Sequence, residues 1–487
     1  MKKLIALLLV LVMVIGLVAC GAKEEAATET AVEEVAEEVK EEVKEEAAEE
    51  AVEEAAEPKE IVTVDYYCSI GAYLAKLQEL VNEFNAGEGA EKGVNINIIS
   101  NINTYSEDLQ KFMETGTFFD LIDAGTSKTL YVEKGYVQDI EAIAADYPEM
   151  AELIDGYREY ITEGVFSACG VLYTLPLEVV PIKFVVNTGL FEQCGLDYPE
   201  TWADIVECAK VITENTEDGI YGMGWSTWSA CYRRLTQKAT MNSTEVGWWD
   251  PNTATYSFSQ YKTQYECLRE MYTNGWMLGA DDLAIDPIRS EFAAGHVGMF
   301  VAPSYDYAVY TTQFICADYG TEWDVIDVPA VTEGSDVYKG VYLDRAGCSI
   351  SAPCWEAADD AKKQAIVDAF VFLNSDYVNG AVYEMGGMIP YKTEVIANAN
   401  VSEDLGPQWA KFADISNYTS MFCYPDALLD LGGADNYNTA FAAFIRDPSA
   451  DYDTLAAELE ELYNNAYAEL KSYGETDLSI YEYDYKH

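Results

Sequence analysis

From Ile61 to Gly125 the chain alternates between two hydrophobic periods, and this restricts its fold more than any other feature. "IVTVDYY" (Ile61–Tyr67) is rich in β-forming residues, and "VNINIIS" (Val94–Ser100) alternates apolar with polar as a half-buried strand does. Between them Leu74, Leu77, Leu80, Val81 and Phe84 recur at helical spacing. Ser106–Met113 reads as a second helix, and "FFDLIDAG" (Phe118–Gly125) as a third strand with its loop. Strand alternating with helix implies a mostly parallel sheet covered on both faces, an α/β fold. Ligands of such sheets collect at the carboxyl ends of strands, so Tyr67–Gly71 and Asp123–Ser127 are the loops of interest.

The residues before Ile61 cannot join that core. Lys2 and Lys3 precede an apolar run from Leu4 to Val18, the layout of a secretory signal peptide and too short to span a bilayer comfortably. "LVAC" (Leu17–Cys20) resembles the bacterial lipobox, which implies a leader over residues 1–20 and an acylated Cys20 holding the chain at a membrane. Residues 21–60 then hold 17 Glu and 4 Lys. Such a segment repels itself and buries too little apolar surface to fold, so it reads as a spacer.

The remaining 427 residues, 61–487, are too many for one small core and suit two lobes. "VVPIKFVVN" (Val179–Asn187) is long enough to pass from one lobe to the other. An aromatic-dense stretch follows, and "EWDVIDVPA" (Glu322–Ala330) and "GCSIS" (Gly347–Ser351) return to strand character. From Ala358 onward the pattern reads as helices. The body carries a net charge of −45, which repels nucleic acid and anionic membrane surfaces. Ten cysteines after Cys20 are scattered without a C-x-x-C pair, so metal-ligand spacing is absent and mostly free thiols are expected.

Several stretches together carry a resemblance. "LVNEFNA", "FMETGTFFDLIDAG", "YVEKGYVQDI", "LYTLPLEVVPIKFVVNTGLFEQCGLDYPETWADIVECAKVIT", "YGMGW", "EFAAGHVGMFVAPSY" and "GGMIPYK" run in the order found in family 1 extracellular solute-binding proteins. These are the sugar-capturing lipoproteins of ABC importers. The chain departs from the family at Phe119, where Pro usually precedes the aspartate. The resemblance implies a two-lobed periplasmic-binding-protein-like (type II) fold with hinge strands between the lobes. Lobe one would take about 61–178 and 335–395, lobe two about 185–330 and 396–487. It also implies a permease and an ATPase on other polypeptides, an extracytoplasmic location, no cofactor and a monomer.

A sugar site needs flat rings for C–H faces and forked donors or carboxylates for hydroxyls. On that basis, and on positions matched to the family, the candidate ligand residues are Tyr67, Ser69, Asp123, Glu178, Trp225, Trp228, Trp248, Tyr305, Asp344 and Arg345. Asp123 reads equally as a helix cap, and Trp225 and Trp228 equally as core. Trp276, Trp323 and His296 are assigned no role in binding.

The two histidines, His296 and His487, leave almost no material for a Ser-His-Asp or Cys-His arrangement, so no catalytic residue is assigned. A glycoside hydrolase needs only two carboxylates, and the acid count leaves that alternative open. A glycan-binding adhesin is the other alternative. The ligand reads as an oligosaccharide, with a cationic solute such as a polyamine as the alternative suited to acidic lobes.

Overall fold

The computed structural model describes residues 60–101, 104–123, 131–132, 134–161, 165–226, 239–244, 246–279, 284–334, 340–420, 424–474 and 476–485. The leader, nearly all of the spacer, Cys20 and Trp228 lie outside these. In chain order the strands are β1 (Val62–Cys68), β2 (Val94–Ser100), β3 (Leu121–Asp123), β4 (Ser167–Ala168), β5 (Val171–Leu172), β6 (Pro176–Asn187), β7 (Tyr221–Gly224) and β8 (Trp249–Asp250). They continue as β9 (Thr255–Tyr256), β10 (Met277–Leu278), β11 (Val297–Pro303), β12 (Trp323–Ile326), β13 (Gly340–Ala346), β14 (Cys348–Ile350), β15 (Ile389–Pro390) and β16 (Tyr418–Ser420).

Two main sheets result. The first has the order β14-β3-β1-β2, with β1 parallel to both neighbours and β14 antiparallel to β3. Alternation along β1 sends Tyr66 into one hydrophobic cluster and Tyr67 into another, which covers both faces as the sequence requires. Helix Leu74–Ala86 buries Leu77, Leu80, Val81 and Phe84, the stripe read from its spacing. Helix Asp360–Leu373 returns from far along the chain to pack on the same sheet.

The second sheet runs β10-β7-β11-β6-β13-β16, with β12 and β15 also paired to β6. Helix Trp202–Asn215 begins with a reciprocal capping box between Thr201 and Asp204 and lies on β7. Its approach is close: a Cβ on Gly222 would sit 2.2 Å from the Cα of Ala209. Helices Lys262–Thr273, Tyr437–Arg446 and Tyr452–Tyr473 enclose an aromatic core that includes Tyr265, Phe441 and Tyr452.

Three segments differ from the sequence reading. Among the described residues the third strand covers only Leu121–Asp123; just before it the Asp120 side chain accepts from the backbone N–H of Asp65 at 2.8 Å and from Lys362 at 2.7 Å. The strand expected over Glu322–Ala330 covers only Trp323–Ile326; Pro329, without an N–H, cannot donate to a ladder. The C-terminal part is not purely helical, since β15 and β16 lie within it, too short to show a period. Among the described residues Cys68, Cys194, Cys208, Cys267, Cys316, Cys348 and Cys354 are free thiols.

The sheets are joined within a few residues. β13 runs antiparallel to β6 with Arg345 opposite Glu178, and its register shifts between Arg345 and Ala346. After Gly347 the chain enters β14, where Cys348 stands opposite Asp123 in the first sheet. Gly347 donates its N–H to the carbonyl of Leu175 at 2.8 Å and accepts from the Thr174 hydroxyl at 3.0 Å. A Cβ there would lie 2.2 Å from Oδ1 of Asn374, a buried side chain already held by the Phe370 carbonyl. Gly347→Ala is therefore expected to cost about 1–3 kcal/mol, read as a fall in thermal denaturation midpoint.

Candidate functional site

The crossover brings Glu178 and Arg345 together. Arg345 donates from Nη1 to Oε2 of Glu178 at 3.1 Å. The Glu178 side chain has no accessible surface, whereas that of Arg345 remains 30% exposed. Oε1 of Glu178 is buried, and no group among the described residues donates to it. An orphan acceptor of this kind costs free energy unless something supplies a donor. Burial pushes the Glu178 carboxyl up to about 7, against the opposing pull of Arg345.

That shift fixes the sign of a pH effect. The ordinary value is 4.5, and a raised folded-state value means the unfolded chain ionises first as pH rises. The folded state is thus penalised progressively between pH 4.5 and about 7, and carries no penalty below that window. Glu178→Gln removes the titration. Relative to wild type it is expected to gain up to about 3 kcal/mol of stability between pH 5 and 8, measured by denaturant unfolding at each pH.

Two other candidate residues, and one that the sequence did not point to, converge on the same place. Tyr73, Asp123 and Tyr305 lie within electrostatic reach of the Arg345 guanidinium. Asp123, at the end of β3, accepts from the Tyr66 hydroxyl at 2.6 Å through Oδ1. Its Oδ2 accepts from the backbone N–H of Ser69 at 2.7 Å and from the Ser69 hydroxyl at 2.8 Å. Asp123 is therefore a brace that fixes the loop after β1. Burial, reinforced by Asp123, holds the Tyr66 phenol well above its ordinary range, so it stays a donor.

Tyr67 points to the opposite face of β1. It is buried in a stack, with ring centroids 5.0 Å from Tyr105 and 4.7 Å from Phe119. Phe119, the residue that departs from the family pattern, thus has a packing role. Asp108 gathers the polar groups at this edge, accepting from Thr104 Oγ1 at 2.5 Å, Asn101 Nδ2 at 2.9 Å and Tyr67 OH at 3.5 Å.

The tryptophans are placed differently. Trp225 and Trp248 have no accessible surface, so neither presents a ring face in this conformation. Trp248 instead donates its indole N–H to Asp426 at 3.0 Å and meets Tyr424 edge-on at 4.7 Å. Asp344 stands opposite Val179 in the β13–β6 ladder, and its side chain is outside the described residues. Tyr305 is half-buried in the turn after β11.

Tyr66, Tyr73 and Asp108 did not emerge from the sequence. Tyr66 had a signal: strand alternation makes it, not Tyr67, share a face with the residues that meet Asp123. Among the described residues no group of three or more His, Cys, Asp or Glu is arranged to hold a metal ion. What the junction offers is a forked, partly exposed donor, a buried acceptor lacking a partner, and a half-buried phenol. These are hydrogen-bonding tools: Glu178 is paired with Arg345, and both oxygens of Asp123 are engaged by three neutral donors.

Comparison with known proteins agrees with this architecture. Residues 70–376 match the family described as bacterial extracellular solute-binding protein. No curated protein sequence matches the chain. An ABC substrate-binding protein of Listeria monocytogenes in complex with cycloalternan shares 17% identity, covering 85% of this chain and 99% of that one, at a TM-score of 0.61. The GacH receptor of Streptomyces glaucescens, solved unliganded and with acarbose, shares 15% identity over 83% of this chain and 98% of its own, at 0.64. The sugar-binding protein MalE of Xanthomonas citri shares 13% identity over 85% and 99%, at 0.61. The fold is thus the two-lobed one of these proteins.

Proposed function

The chain belongs to the bacterial extracellular solute-binding protein family, and we propose that it captures a neutral oligosaccharide between its two lobes and delivers it to the permease of an ABC importer. The observation that carries this reading is the Glu178–Arg345 pair at the crossover, with its orphan oxygen and partly exposed guanidinium. A sugar hydroxyl donating to Oε1 while its neighbour accepts from Arg345 would satisfy both at once. Such desolvated groups discriminate strongly against a ligand that lacks the matching hydroxyl. Hinge closure at the strands β6 and β13 would bury the ligand.

The engagement of both acids favours a neutral ligand over a polyamine, because Arg345 would repel a cation and neither oxygen of Asp123 is left for one. The body is strongly acidic, but at the junction the Glu178 charge is matched by Arg345, and Asp123 already serves Tyr66 and Ser69. Cycloalternan and acarbose in the related structures support a carbohydrate. Tethering through acylated Cys20, with residues 21–60 as spacer, would raise the effective concentration at the permease. Asp123, Ser69, Tyr305, Glu178 and Arg345 form the proposed site; Tyr67 supports it from behind through its ring stack.

A thermal-shift panel of the full chain against neutral oligosaccharides and spermidine, with chromatography of the recovered sugars, tests the reading. A raised midpoint with a sugar returned intact is the expected result. Shortened sugars would reassign the protein to the glycoside hydrolases, and a shift with spermidine alone would reassign the ligand.

A further inference from the structure

Two arginines each engage an acid that has no accessible surface. Arg345 does so at the crossover, and Arg289 does so in the second lobe. Arg289, on helix Ile285–Ala293, donates from Nη2 to Oδ1 of Asp306 at 2.5 Å and from Nε to Oδ2 at 3.3 Å. Its Nη1 is held by Asp286 at 3.0 Å, so the fork cannot swing. Asp306 directly follows Tyr305, and Tyr305 lies within electrostatic reach of both guanidiniums. On the other side of the turn, Ser304 is fully buried and its backbone N–H donates to the carbonyl of Pro181 in β6 at 3.1 Å.

A buried ion pair is a poor source of stability. The desolvation of both ions offsets their attraction, and apolar side chains of similar volume often serve as well or better. The Arg289–Asp306 fork is also not needed to close a ladder, since β11 is already paired along its length with β6 and β7. What it does fix is direction. Both oxygens of Asp306 are engaged by a planar donor of set geometry, which fixes the backbone one residue after Tyr305.

We infer that Arg289 and Asp306 are positioning residues that aim the Tyr305 side chain at the Glu178–Arg345 pair and so set ligand affinity without touching ligand. The inference rests on the proposed site for its effect on binding, but its structural part is independent of any ligand. Holding a ring in its bound direction lowers the ordering cost of binding.

The test uses the full chain with the tyrosines labelled at 13Cζ, the Tyr305 signal being assigned through Tyr305→Phe. In the ligand-free Arg289→Met/Asp306→Leu variant the Tyr305 signal is expected to shift or broaden while the denaturation midpoint stays within a few degrees of wild type. Affinity for the best sugar of the panel is expected to fall about 10- to 100-fold, and by no more when Tyr305→Ala is added than Tyr305→Ala causes alone. An unmoved Tyr305 signal overturns the inference, as does an affinity loss that adds fully to that of Tyr305→Ala. If the double variant does not fold, Arg289→Lys, which keeps the charge and loses the fork, carries the same two expectations. A moved signal in a protein whose wild type binds no sugar upholds the positioning and rejects the proposed function instead.

Discussion

Arg345→Ala is expected to lower stability at pH 8 by about 3–5 kcal/mol and to remove measurable sugar binding. The variant strips a fully buried Glu178 of the one cation among the described residues that hydrogen-bonds to it, and breaking a buried pair costs far more than the pair contributes. The pH dependence separates this cause from a general packing defect. Without Arg345 the Glu178 carboxyl is driven further above its already raised value of about 7. The penalty grows as pH rises above the unfolded value and vanishes below it, so the variant recovers toward wild type near pH 4.5. Adding Glu178→Gln restores stability at pH 8, because no buried charge remains to be orphaned. It does not restore binding, because the guanidinium is still missing. Denaturant unfolding across pH, paired with calorimetry, reads both halves of this expectation; a variant equally unstable at every pH would refute it.

The second large effect concerns Asp426. Asp426 accepts from three aromatic donors: the Trp248 indole at 3.0 Å, the Tyr256 hydroxyl at 2.7 Å and the Tyr437 hydroxyl at 2.8 Å. These come from the residue before β8, from β9 and from helix Tyr437–Arg446, so one carboxylate ties a hairpin to the C-terminal helices. Asp426→Ala withdraws an acceptor that three largely buried groups share, at about 1–3 kcal/mol for each donor left without a partner. A total loss of about 3–5 kcal/mol is expected, with partial relief by Asp426→Asn, which keeps one acceptor oxygen. Thermal unfolding checks it, and a midpoint within two or three degrees of wild type would contradict it.

The readable parts of this chain were local. Val94–Ser100 alternates and forms β2 over the same residues, and the stripe from Leu77 to Phe84 is the buried face of its helix. The crossing strand was legible because Val179–Asn187 is mostly apolar and long enough to reach between two sets of partners, and it forms most of the twelve-residue β6. What stayed hidden depends on distant pairing. Asp123 reads as a loop acid until β14 brings Cys348 opposite it and Tyr66 turns toward it from β1. Trp248 reads as a platform until Asp426, 178 residues later, claims its N–H. The value of Arg345 lies in a one-to-one register with Glu178 across 167 residues, which no local pattern encodes.

A crystal structure of the full chain with its tightest-binding oligosaccharide would show the ligand contacts themselves. Expected is a neutral sugar at the β6–β13 crossover, one hydroxyl within hydrogen-bonding distance of Oε1 of Glu178 and another on the Arg345 guanidinium, with Tyr305 against the ligand. A sugar bound elsewhere, with Oε1 of Glu178 still lacking a donor, would contradict it.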